Sequence, residues 1–238
     1  MIPTTKIQNP KLPFLFVNLA MTADGKIATA NRAVHSFGSA RDLTHLYELR
    51  ATADAVMCGA RTVEISQSVL GTGGGKFRKQ RLKLGLAEFN LRVIVSGSGS
   101  ISPQADIFKQ RFSPIIVLTT RRASAKKLAQ LRTLADEVKI CGNREIHFPD
   151  TLRWLREKWR VTKLLCEGGG ELNETLFRAG LVDEIHLTIC PEIFGGRCAP
   201  TIADGSGMKR LADAKAYQIQ SIKRFEGELF TVFSRKKQ

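Results

Sequence analysis

The sequence predicts an α/β fold: a mostly parallel central sheet flanked by helices, with an antiparallel hairpin at its C-terminal end. Three observations carry this. Short runs that are apolar at nearly every position alternate with segments of helical period, as buried parallel strands and their crossover helices require. Residues 163–190 read as strand, glycine turn, helix, glycine stop and returning strand. Residues 217–222 and 229–233 flank a Glu-Gly-Glu turn and read as a closing hairpin.

Taken in order, residues 14–19 (FLFVNL) form the first strand, apolar throughout except at Asn18. A helix follows Ser39, gathering Leu43, Leu46, Tyr47 and Leu49 on one side, with Ser39 and Asp42 at capping-box spacing. Residues 55–58, 91–95 and 115–118 are three further buried strands. The next helix aligns Leu128, Leu131 and Ala135, and another aligns Leu152, Leu155 and Trp159, with Asp150 as its expected N-cap. Residues 163–166 are then a strand, 167–170 the turn and 171–179 a helix that Gly180 stops; 185–190 are the returning strand. One domain over 1–238 is expected, with its core at 14–233 and a basic tail at 234–238. Residues 66–90 lack a clear period. They contain Gly71-Thr72-Gly73-Gly74-Gly75 and then a basic cluster over 76–81, and read as an irregular surface loop or as a flap over a phosphorylated ligand.

The hydrophobic share of 43% and charged share of 25% are ordinary for a globular chain. The net charge of +15 is not, and favours anionic partners: phosphorylated metabolites, nucleic acid or an acidic membrane surface. No zinc-finger spacing or RNA-binding aromatic signature accompanies it, so nucleic acid is not the expected partner. No stretch is long enough to span a bilayer and no apolar signal-peptide core opens the chain. The five Cys, at 58, 141, 166, 190 and 198, are odd in number and include no C-x-x-C, which reads as free thiols in the cytoplasm.

The chemistry concentrates in two places. Three glycines between a buried strand and a helix, Gly168, Gly169 and Gly170, permit close backbone approach and leave the first helical N–H groups open to a phosphate or pyrophosphate. Asn18 is an amide inside an apolar strand, where it would be costly unless it had a partner, and Asp24-Gly25-Lys26 follows close behind. Both belong at the carboxyl end of the sheet, where α/β folds bind ligands; Asp24 reads equally well as a turn former. A Walker loop is excluded because Leu70 replaces its first glycine and Phe77 follows Gly75-Lys76. No G-x-G-x-x-G follows the first strand, so any nicotinamide cofactor is held by a non-Rossmann arrangement. The His residues at 35, 45, 147 and 186 include no pair at ligand spacing, and no G-x-S-x-G is present.

Residues 13–28 (PFLFVNLAMTADGKIA), 49–63 (LRATADAVMCGARTV) and 164–200 (LLCEGGGELNETLFRAGLVDEIHLTICPEIFGGRCAP) resemble the pyrimidine reductase of riboflavin biosynthesis, over nearly the whole chain and in the same order. That family is often the C-terminal half of a bifunctional deaminase-reductase and elsewhere stands alone. The resemblance implies a dihydrofolate reductase-like fold, a homodimer and NADPH as hydride donor. It implies cofactor contacts at Gly59 and Thr62, at Gly168, Gly169, Gly170, Glu171 and Leu172, and at Ser96; Thr120 and Arg121 suit a 2′-phosphate. It implies a phosphorylated pyrimidine against Asn18, Asp24, Ser39 and Arg50, with Glu167 and Asp24 as the catalytic candidates. Asn18 stands where the bifunctional enzymes commonly have Lys, which favours the diamino-pyrimidinone over the deaminated uracil. In one respect the chain departs from the pattern. After Thr62-Val63 the family continues with Asp-Asp-Pro, whereas this chain reads Glu64-Ile65-Ser66-Gln67-Ser68. A reductase of another heterocycle such as dihydrofolate, or a non-catalytic nucleotide- or nucleic-acid-binding homologue, are the alternatives.

Overall fold

A computed structural model describes residues 11–32 and 37–236. In chain order the elements are β1 (Phe14–Thr22), α1 (Ala40–Arg50), β2 (Ala55–Gly59), α2 (Ala60–Ser66), α3 (Gly75–Lys83), β3 (Leu91–Val95), α4 (Asp106–Lys109) and β4 (Ile115–Thr119). There follow α5 (Ala125–Leu134), β5 (Glu137–Ile140), α6 (Phe148–Trp159), β6 (Lys163–Cys166), α7 (Gly170–Arg178), β7 (Glu184–Cys190), β8 (Tyr217–Phe225) and β9 (Glu228–Arg235). The nine strands form one sheet ordered β5-β4-β3-β2-β6-β1-β7-β9-β8. Strands β1 to β7 are parallel, and β9 and β8 are antiparallel. The chain winds outward from β2 to β5 and returns through β6 between β2 and β1. That reversal opens a crevice at the carboxyl ends of these strands.

Alternation along the strands divides the core between two layers. Leu15, Val17 and Leu19 of β1 pack with Leu152, Leu155, Leu172 and Leu176 of α6 and α7. Phe14 and Phe16 pack on the other face with Leu49, Val63, Ile107 and Leu131 of α1, α2, α4 and α5. Asn18 therefore lies on the α1 face.

Three sequence expectations are corrected, and one strand is added. Residues 66–90 are not irregular throughout: they carry α3, and Arg81, only 1% exposed, donates to the carbonyls of Arg50, Ala53 and Ala87. A helix with five Lys or Arg among its nine residues, one of them a buried Arg, has no apolar stripe to betray it. The N-cap of α6 is His147, with Asp150 in the first turn, because Pro149 takes the first turn of the helix. Ser234 and Arg235 belong to β9 rather than a tail, and Arg235 bonds Asp183 at 2.9 Å. The edge strand β5, only four residues long and alternating polar with apolar, carries no expectation from the sequence. Among the described residues no helix is long and apolar enough to cross a membrane.

Candidate active site

The crevice is a cleft of about 560 Å³. One wall comes from β6 and α7 through Glu167, Gly169 and Gly170, a second from β2 and α2 through Cys58, Arg61 and Thr62. Asn18 and Leu19 of β1 form its floor, and Asp42, Tyr47 and Arg50 of α1 close it.

The glycine turn is built by contacts that exclude side chains. Gly168 has φ +84°, the Gly168–Gly169 peptide is cis, and β2 holds the turn through Gly59 N–H to Gly168 O at 2.7 Å and Glu167 N–H to Met57 O at 2.9 Å. A Cβ on Gly169 would stand 2.9 Å from the Thr62 hydroxyl, and one on Gly170 would meet Thr201 O at 2.6 Å. No side chain caps α7, whose N-terminal N–H groups thus remain available to an anion. Leu172 is buried in the core, so it can offer only its backbone, while Glu171 is exposed and 3.4 Å from Arg61.

The centre of the cleft is a buried ion pair. Arg50 Nε and Nη2 donate to the two oxygens of Glu167 at 2.6 and 2.7 Å, and Nη1 donates to Gly71 O at 2.7 Å. Side-chain exposures of 7% and 11% leave both groups nearly dry. Burial alone would lower the Arg50 pKa, but the Glu167 carboxylate reverses this and leaves it raised. Ser68, in place of the missing Asp-Asp-Pro, touches Arg50 Nη2 at 3.4 Å. The thiol of Cys58 beside the pair is pushed up, first by burial and then by Glu167, so it is no nucleophile at neutral pH.

The other sequence-derived residues lie outside this cluster. Asp24 accepts from the Thr22 hydroxyl at 2.5 Å and from Phe194 and Gly195 N–H at 3.2 and 2.7 Å. It clamps the loop after β7, and the Thr22 hydroxyl leads the contacts that hold its pKa below the usual range. Ser39 caps α1, accepting from Asp42 N–H at 3.3 Å, and donates its hydroxyl and N–H to Glu228 at 2.6 and 2.7 Å. Glu228 thus takes the acid's part in the capping box that the sequence assigned to Asp42. Ser96 and Thr120 sit at the ends of β3 and β4, the Thr120 hydroxyl donating to Gly97 O at 2.6 Å, with Arg121 exposed beside them. His35 lies outside the described residues. Sequence reasoning missed Tyr47, Arg61 and the Asp42 carboxylate as lining residues; helical spacing marks Tyr47 and Asp42 only as packing and capping positions.

The family model described as the RibD C-terminal domain matches residues 13–224. The chain belongs to this family. Two relatives of this RibD-type domain, from Methanothermobacter thermautotrophicus and Archaeoglobus fulgidus, are each named 2,5-diamino-6-ribosylamino-4(3H)-pyrimidinone 5′-phosphate reductase. The first is 33% identical over 85% of this chain and 88% of its own length. The second is 33% identical over 94% and 98%. Among solved structures, a pyrimidine reductase-like protein from Corynebacterium diphtheriae superposes with a TM-score of 0.78 at 20% identity, covering 95% of this chain and 93% of that one. RibD from Acinetobacter baumannii gives 0.74 at 17% identity, and this RibD-type domain spans 59% of that longer chain. These likenesses support the dihydrofolate reductase-like fold expected from the sequence. The relatives do not favour a folate reductase or a nucleic-acid-binding protein.

Proposed function

We propose that this chain reduces the ribosylamino group of a pyrimidine 5′-phosphate to ribitylamino, with NADPH as cofactor and the 2,5-diamino-pyrimidinone as preferred substrate. The observation that carries the reading is the sharing of one cleft by the glycine turn and Thr62 on one side and by Asn18 and the Arg50–Glu167 pair on the other. Because a Cβ on Gly169 or Gly170 would collide with Thr62 or with Asp204 and Thr201, the turn presents only backbone to its side of the cleft, which suits a dinucleotide.

NADPH, when bound, supplies the hydride for C1′ of the ring-opened sugar. The protein supplies position and charge. The N–H groups at the start of α7 would hold the cofactor's pyrophosphate, with Thr62 bordering the turn. Arg50, fixed by Glu167 and Gly71 O, would present a guanidinium to the cleft without reorganisation. Glu167 has both oxygens engaged by Arg50 and so acts by holding that cation. Arg121 at the β4 end serves the 2′-phosphate.

We also place a second copy of the chain against the β8–β9 hairpin, where Ile219, Ile222 and Phe225 stand open on an edge strand. A cytoplasmic setting is consistent with four buried cysteines, all free. The test is NADPH absorbance with the purified protein and the diamino- and deaminated ribosylamino-pyrimidine phosphates. Oxidation driven by the diamino compound is expected; NADPH binding without turnover of either would overturn the proposal.

A further inference from the structure

A second cavity, of about 610 Å³, lies outside the cleft and is lined by Lys11, Arg153, Arg156, Glu157, Arg160 and Thr162. Lys11 leads into β1 and Thr162 directly precedes β6, so the cavity sits at the amino ends of strands whose carboxyl ends form the cleft. The run from Thr162 along β6 to Glu167 spans about 16 Å. Arg153, Arg156 and the C-cap Arg160 follow one another at three and four residues along α6, a single stripe about 10 Å long.

Four cations face one carboxylate, Glu157, in this lining. Elsewhere on α6 the charges have partners: Arg153 donates to Asp150 at 2.7 Å and Lys158 to Glu137 at 2.5 Å. The side chains of Arg156 and Arg160 have none among the described residues, and Arg156 Nη1 is buried without an acceptor. A guanidinium cannot shed its proton, so a buried N–H left unpaired costs stability that an arriving acceptor would return. Arg160 also holds a left-handed backbone, φ +57°, at a cap where glycine is the unstrained choice. The carbonyl end of α6 attracts cations to its last turn. That attraction explains neither the unpaired buried N–H nor Lys11, which comes from another segment.

We infer that this cavity is a second anion site, separate from the cleft, that takes an oligophosphate chain of two or three linked phosphoryl groups. A lone phosphate covers too little of the stripe, whereas linked groups let two guanidinium forks engage at once. No aromatic ring lines the cavity, so it offers no platform on which a base could stack. The two tryptophans of α6 are engaged elsewhere: Lys139 Nζ lies 5.1 Å over Trp154, and Trp159 Nε1 donates to Glu137 at 2.9 Å. The lining therefore fits a phosphate chain better than single-stranded nucleic acid. The inference does not rest on the proposed function, because no residue of the cleft takes part in it.

Isothermal titration of the whole chain at physiological salt, with tripolyphosphate and with orthophosphate, tests this with and without NADPH. One tripolyphosphate per chain is expected, held at least about tenfold more tightly than orthophosphate and unaffected by NADPH. Arg156→Gln with Arg160→Gln removes two charge-assisted contacts and should weaken it at least about tenfold. Should the partly buried Arg156 prove necessary for folding, Lys11→Gln with Arg160→Gln, both exposed, should show a several-fold loss. Lys79→Gln with Lys83→Gln removes the same charge from exposed positions on α3 and should leave the affinity unchanged. Equal weakening by the α3 pair would reduce the effect to diffuse attraction and overturn the inference. So would the absence of saturable binding, or displacement by NADPH, which would put the anion in the cleft. A thymidine oligonucleotide bound through the same arginines more tightly than tripolyphosphate would make the cavity a nucleic-acid surface and overturn it too.

Discussion

Glu167→Ala isolates the Arg50–Glu167 pair. It would leave a guanidinium in the core with Gly71 O and a long contact to Ser68 as its remaining partners. Breaking a buried pair from one side costs about 3–5 kcal/mol, because the surviving charge is uncompensated. In a chain of this size each kcal/mol moves Tm by roughly 2–4 °C, so the variant should melt roughly 6–20 °C lower. Replacing both partners, Arg50→Met with Glu167→Leu, removes the orphaned charge and should recover most of that loss. Urea and thermal unfolding of the two singles and the double form the assay. A Glu167→Ala cost below about 1 kcal/mol, or a double variant as unstable as the sum of the singles, would refute the claim that the charges need each other.

Burial, and next the neighbouring His186 ring, lower His45 to about 4. Between pH 6.5 and 4 the unfolded chain then binds a proton that the folded chain refuses, so stability is full above 6.5 and declines as pH falls toward 4. At about 1.4 kcal/mol per pH unit the decline is about 3 kcal/mol, and urea midpoints across that range should show it shrinking in His45→Phe. Gly169→Val should weaken NADPH binding at least about tenfold while far-UV circular dichroism stays unchanged, since its Cβ would stand 2.9 Å from the Thr62 hydroxyl; fluorescence titration reads the affinity. Ile222→Glu on the open hairpin should shift sedimentation from dimer to monomer without altering the melting of the monomer fold.

Much of the fold was legible because parallel strands covered on both faces leave an apolar signature that little else imitates. Residues 14–19, 55–58, 91–95, 115–118, 163–166 and 185–190 all announce themselves this way. β5 did not, since Glu137, Val138 and Lys139 lie on an edge and only partly bury. α3 escaped because Arg81 does its packing with a cation, satisfied by three carbonyls that no local pattern reveals. At the site, glycines and Asn18 were readable as single residues whose presence in a buried strand or tight turn demands a reason. The Arg50–Glu167 and Ser39–Glu228 contacts join residues 117 and 189 positions apart. Nothing local in sequence forecasts such partners; only the winding of the sheet brings them together.

The bond from Glu228 to Ser39 ties two distant parts of the molecule into one lever. Glu228 opens β9 and, 4% exposed, grips the first turn of α1, whose other end carries Tyr47 and Arg50 into the cleft. A ligand that shifts α1 must therefore drag the hairpin's root, and whatever seats against the hairpin stiffens the helix that faces the ligand. Any coupling carried by this bond would be reciprocal: occupancy of the cleft and of the hairpin edge would change each other's equilibrium by the same factor. Were the proposed second copy seated on the hairpin, substrate affinity would vary with protein concentration, measurable by simple dilution.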